Sequence, residues 1–224
     1  MSRTAAALVA ALSLTLLPRF AAAQQVETDR LIEAGRVLEE VLSAPDKGVP
    51  QSIVEKAQAI VVIPSTVKGA LLVGAQRGKG VMSVKTAAGW SAPAFVTLTG
   101  GSIGLQIGGQ ATDIVLVVMN ERGIENLAQN TFKIGGDASV AAGPVGREAA
   151  ASTDYKLQAQ ILSYSRSRGL FAGVSLAGST IRADRDANER IYGVGYSTKN
   201  IVVERKVEPT AAAEPWLKVL KARM

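Results

Sequence analysis

The side chains that carry most protein chemistry are missing from this sequence, which has no histidine and no cysteine in 224 residues. That excludes an imidazole base, Ser-His and Cys-His nucleophile pairs, histidine-ligated metal and any disulfide framework. What remains are formal likenesses. Gly100-Gly101-Ser102-Ile103-Gly104 has the G-x-S-x-G spacing, but a nucleophile elbow needs a strand-turn-helix and a histidine partner. Ser65-Thr66-Val67-Lys68, echoed by Lys85-Thr86-Ala87, has the S-x-x-K spacing. Such a serine must open a helix in a much larger domain, whereas this one follows Pro64 between strand-like runs. The segment Gly74 to Gly80 is one residue short of a P-loop, lacks its Ser/Thr for magnesium, and reads as a hairpin turn. No Asp/Glu group has metal spacing; Asp184, Asp186 and Glu189 read as an exposed helix start. No catalysis, cofactor or metal is expected.

Charge is more informative. From Glu55 to Asp113 no acid intervenes, yet Lys56, Lys68, Arg77, Lys79 and Lys85 do. From Asp154 to Asp184 the same holds, with Lys156, Arg166, Arg168 and Arg182. Each stretch has an expected glycine-bounded turn, at Arg77-Gly78-Lys79 and at Arg166-Ser167-Arg168-Gly169. Arg147 follows the glycine-rich Gly143-Pro144-Val145-Gly146, where turn N–H groups can face anions. Lys68, Arg77, Lys79, Arg147, Arg166 and Arg168 are therefore the candidate headgroup contacts, each contributing on the order of 1 kcal/mol near a phosphate surface. On charge alone, solvated surface lysines and arginines explain the pattern equally well.

The elements that position these residues begin after an export-type leader. Arg3, the apolar run Ala5 to Leu17, Pro18 and Ala21-Ala22-Ala23 form a secretory signal layout, with cleavage expected before Gln24. The mature chain would keep 201 residues and, having lost Arg3 and Arg19, a net charge of +4 instead of +6. That suits an anionic membrane surface and is weak support for nucleic acid, which is not expected as a partner. Thr28 is placed to cap a helix reaching Leu42, with Leu31, Ala34, Leu38, Val41 and Leu42 on one stripe. A short helix follows Pro50.

The texture then turns to β: Ile60 to Ile63 up to Pro64, Ala70 to Ala75, Val81 to Thr86, an alternating run from Ser102 to Gln110, and Ile114 to Met119. The last is apolar at every position, as a strand covered on both faces requires. Glu121 to Gln129 reads as a helix, Lys156 to Ser165 and Leu170 to Ile181 as strands, Asp184 to Tyr192 as a helix and Ile201 to Val207 as a last strand. The expected fold class is α+β, a curved or barrel-like antiparallel sheet with flanking helices in a single domain over residues 24–208. A linker and a short basic C-terminal helix would occupy 209–224.

Four stretches resemble the SYLF (Ysc84-type) family: Ile63-Pro64 through Lys68-Gly69-Ala70 to Gly74; Arg77 to Val81; Trp90-Ser91-Ala92-Pro93-Ala94-Phe95 through Gly101 to Gly108; and Gly143 to Arg147 followed by Tyr164 to Gly173. The resemblance covers roughly residues 30 to 195. It implies an α+β domain that binds phospholipid, with phosphoinositides as eukaryotic ligands and actin as a partner in yeast members. Actin binding is not expected of an exported chain with a bacterial-type leader. Eukaryotic members set an amphipathic N-terminal helix against membranes; here that helix holds Glu27, Asp29, Glu33, Glu39 and Glu40, so it is expected to pack on the sheet instead. The leading expectation is non-catalytic binding of anionic phospholipid or membrane in the periplasm or cell envelope. Its alternatives are a self-associating structural envelope protein and, far behind, a serine enzyme at Ser65 or Ser102.

Overall fold

The computed structural model describes residues 24–43, 49–70, 74–102, 110–135, 139–145, 159–167 and 170–224. A helix over 24–43 (α1) leads through α2 (Gln51–Lys56) into β1 (Ala59–Ala70), β2 (Gly74–Thr86), the short β3 (Gly89–Trp90), β4 (Ala94–Ser102) and β5 (Gln110–Val118). Then come α3 (Glu121–Ala128), β6 (Thr131–Lys133), β7 (Val140–Ala142), β8 (Ile161–Ser167), β9 (Leu170–Gly173), β10 (Ser179–Ala183), α4 (Arg185–Tyr192), α5 (Thr198–Val202) and α6 (Glu214–Arg223). The strands form one strongly curled, open sheet in the order β6-β10-β4-β2-β1-β5-β8-β7, with β3 beside β2 and β9 beside β8. Among the described residues every pairing is antiparallel except β7 with β8. The α+β class with a curved sheet and flanking helices is as expected.

Period-two alternation splits the core into two layers. Ile60, Val62, Val81, Phe95, Val115, Val117, Leu162 and Tyr164 face α1, α2 and α6. Val61, Ile63, Met82, Leu98, Ile114, Leu116 and Val118 face α3, α5 and the β6–β10 side. From Ile114 to Val118, β5 is buried on both sides, which is why that stretch is apolar throughout. Helix α1 lays Leu31, Ala34, Val37, Leu38 and Val41 on the sheet. Thr28 lies inside this helix and bonds back to the Gln24 carbonyl, so it is not a cap. Trp216 of α6 is fully buried and donates its indole N–H to Ser83 Oγ at 2.9 Å, so the C-terminal helix is part of the core.

Other expectations change as well: the expected Leu170–Ile181 strand is two strands, β9 and β10, with 174–178 between them. Strand β1 continues through Pro64 to Ala70, because a bulge with Ser65 at φ 48° absorbs the proline. The segment Gln76 to Gly80 is not a turn but the middle of β2. Its glycines serve close approach: a Cβ on Gly78 would stand 2.5 Å from Ile63 Cγ2 and from Thr66 Oγ1, and one on Gly80 would meet the Val62 carbonyl and Ile63. The segment from Ile201 to Val207 is no strand. Ser197 and Asn200 form a capping box that starts α5, which ends at Val202. The interior of the Ser102–Gln110 run lies outside the described residues, as do residues 168–169 of the expected Arg166-to-Gly169 turn, whose Arg166 and Ser167 belong to β8.

Candidate functional site

Strands β2, β4, β10 and β6 carry a continuous polar face. Register places Lys79 opposite Thr97, Thr97 opposite Arg182, and Arg182 opposite Thr131. The next rung runs Arg77, Thr99, Thr180, Lys133. Residues two apart on a strand share a face, so these eight side chains project together from one side of the sheet. It is the side that α1 covers elsewhere: along β2 and β4, buried Val81 and Phe95 give way to Lys79 and Thr97 and then to Arg77 and Thr99. With strands about 4.8 Å apart, the four-strand face is about 14 Å wide.

Arg77, Lys79, Arg182 and Lys133 are exposed, and none of the eight positions is acidic. Among the described residues, Arg77, Arg182 and Lys133 form no ion pair. Lys79 reaches Asp184 at a loose 3.8 Å. That carboxylate is already engaged: it accepts from Arg30 Nη1 at 2.9 Å and from the Ala187 N–H that starts α4. Arg30 in turn pairs with buried Glu27 at 3.0 Å and stacks 5.2 Å above the Phe95 ring. Glu27 also accepts from Arg190. This network, with Asn188 bonded to both backbone groups of Phe95, fixes α1 and α4 at the border of the face.

The opposite flank of the same sheet side is built differently. Arg166 of β8 donates to Asp113 of β5 through Nε at 2.8 Å and Nη2 at 2.7 Å, and pairs with Glu40 of α1. Asp113 accepts the Ser65 N–H at 2.9 Å. Burial pushes the Asp113 carboxyl above its ordinary value, against the downward pull of the Ser65 N–H and Arg36. Desolvation lowers Arg166 somewhat from the usual arginine range.

Of the expected contacts, then, Arg77 and Lys79 sit together on the open face, on a strand instead of a turn. Arg166 is held in an ion-paired cluster, separated from β2 by β1 and β5. Lys68 occupies β1 opposite Gln76 and Gln110. Arg147 and Arg168 lie outside the described residues. Arg182 and Lys133 join the face without having been singled out; Arg182 stands in the second acid-free stretch, which was the available signal. Ser65 is exposed at the β1 bulge with its N–H bonded to Asp113, and Ser102 ends β4 opposite Gly74, so neither opens a helix. No group of three or more acidic side chains suited to a metal occurs among the described residues. No helix among them is long and apolar enough to cross a membrane.

The family model described as "Ysc84: Las17-binding protein actin regulator" matches residues 99–223, more than half of the chain. The chain belongs to the Ysc84 family. This Ysc84-family chain is 36% identical to protein YSC84 of Saccharomyces cerevisiae over 183 residues, 80% of this chain and 38% of that protein. It is 33% identical to SH3 domain-containing YSC84-like protein 1 of Xenopus laevis over 168 residues, 72% of this chain and 50% of that protein. Against the human protein of the same name it is 34% identical over 152 residues, 67% and 44% of the two chains. It thus spans half or less of these relatives' own length. The Xenopus and human relatives are named as SH3 domain-containing proteins.

Proposed function

We propose that this Ysc84 domain is a non-catalytic binding module for anionic phospholipid surfaces, acting after export at a cell-envelope membrane. The observation that carries the reading is the face of Arg77, Lys79, Arg182 and Lys133, whose cations are left without strong acidic partners while threonine hydroxyls lie between them. Guanidinium and ammonium groups supply charge, the threonines supply donors, and a phosphate layer supplies the oxygens. Each cation contributes on the order of 1 kcal/mol near such a layer, so several acting together give useful but salt-sensitive binding. Cosedimentation of the mature chain with phosphatidylglycerol vesicles and with phosphatidylcholine vesicles tests this. Binding should be confined to the anionic vesicles and fall steeply as salt shortens the reach of the charges to about 8 Å at physiological strength. Equal binding to both vesicle types overturns it. N-terminal sequencing of extracytoplasmic protein should find Gln24; finding Met1 contradicts export.

The family description favours a second reading, in which the domain is a Las17-binding actin regulator that engages filaments. An exported chain has no access to actin, so filament cosedimentation should be negative. Saturable filament binding at physiological salt would move the weight to that reading.

A further inference from the structure

Where β10 leaves the cationic face, the chain turns into α4, and a cleft of about 240 Å³ opens between α4 and the start of α5. Its wall includes Arg185, Glu189, Asn130, Tyr196 and Thr198. That volume is below the roughly 300–1,000 Å³ of clefts for drug-sized ligands, so the occupant is small.

The chemistry of the wall is bipolar. Arg185 and Glu189 lie one helical turn apart, the spacing at which opposite charges usually pair, yet among the described residues no ion pair joins them. Both are exposed at the cleft. Tyr196 stands beside them with 36% of its surface open, and an exposed aromatic ring can receive a cation on its face. Thr198 supplies an independent observation: it is 1% exposed, and its hydroxyl has no hydrogen-bond partner among the described residues. A buried hydroxyl left unsatisfied is costly unless something bonds it. Gly195, at φ 99°, carries the loop past the opening without a side chain to fill it.

We infer that this cleft binds a small zwitterion bearing an ammonium and a phosphate, of the aminoethyl phosphate class. Arg185, the Asn130 amide and the Thr198 hydroxyl take the phosphate oxygens; Glu189 and the Tyr196 ring take the ammonium. The ligand is either a free aminoalkyl phosphate or the headgroup of an ethanolamine phospholipid. The cleft adjoins the proposed anionic-lipid face but shares none of its four cations, so either site can fail without the other.

Calorimetric titration of the full chain with O-phosphoethanolamine, with ethanolamine and with inorganic phosphate tests the assignment. The zwitterion should bind saturably and about tenfold or more tighter than either fragment, as two linked contacts reinforce each other. Glu189→Gln should reduce it to the level of inorganic phosphate, and Arg185→Gln to that of ethanolamine. Thr198→Val should weaken the zwitterion while leaving Tm unchanged or raised, because the hydroxyl it removes is unsatisfied in the fold. Vesicles of phosphatidylcholine with and without phosphatidylethanolamine separate the sources. Ethanolamine-dependent binding that Glu189→Gln abolishes indicates the lipid, whereas binding of the soluble compound alone indicates the free phosphate. No preference for the zwitterion over inorganic phosphate, or unchanged affinity in folded Arg185→Gln and Glu189→Gln chains, overturns the inference.

Discussion

One side of the sheet holds cations in two opposite ways. On the β5–β8 flank, Arg166 is half-buried and clamped by Asp113 and Glu40, with Ser65 completing the carboxylate's bonds. On the β2–β4–β10–β6 flank, Arg77, Arg182 and Lys133 stand in the open with threonines beside them, and Lys79 has only a distant share of Asp184. The residue types are alike and only the burial and partners differ. A buried cation must be compensated by the protein, so it holds the fold together and has little left for a ligand. An exposed cation contributes little to the fold and keeps its charge for a partner.

The largest difference between the two flanks is expected at Arg166. Arg166→Ala should strand the Asp113 carboxylate and lower stability by about 3 kcal/mol, read as a fall in the denaturation midpoint. If the loss is within about 0.5 kcal/mol, the cluster is ordinary surface charge. Gly78→Ala comes next, because the added methyl meets Ile63 and Thr66 across the β1 bulge. A cost of about 2 kcal/mol is expected from such overpacking, whereas a turn glycine in open space would tolerate alanine. The smallest effect concerns Glu33, which the Arg36 side-chain hydrogen bond holds below its ordinary 4.5. Because the folded value is lowered, the stability from this pair is present above 4.5 and is lost as pH falls through the folded value. Arg36→Ala should move the Glu33 titration upward by NMR; an unmoved titration means the pair is absent in solution.

Much of this architecture can be read directly from residue order. The Ile114–Val118 half of β5 announces itself because a stretch covered on both faces has no position for a polar side chain. Helix α4 does so through its aspartate cap at Asp184. Arg77-Gly78-Lys79-Gly80 misleads, because glycine marks either a turn or a close backbone approach. Only the neighbouring bulge at Ile63–Thr66 decides between them. The segment beginning at Ile201 misleads for another reason: its β-branched residues favour a strand, while the Ser197–Asn200 box upstream commits the backbone to helix. Half of the open face could not be foreseen. Lys79, Thr97 and Arg182 become neighbours only through the strand order β2-β4-β10, a non-local pairing that no local pattern encodes.

The most direct test sets the open face against an equal change of charge elsewhere. Arg77→Glu with Arg182→Glu, and Lys218→Glu with Lys221→Glu on the exposed side of α6, alter net charge identically. Both pairs should leave Tm nearly unchanged, at about 0.5 kcal/mol or less per substitution. Binding to phosphatidylglycerol vesicles at low salt should then be lost in the Arg77/Arg182 variant and largely kept in the Lys218/Lys221 variant. Equal loss in the two would mean that net charge alone, and not this face, attracts the membrane; full binding by the Arg77/Arg182 variant would mean that the face does not touch the membrane.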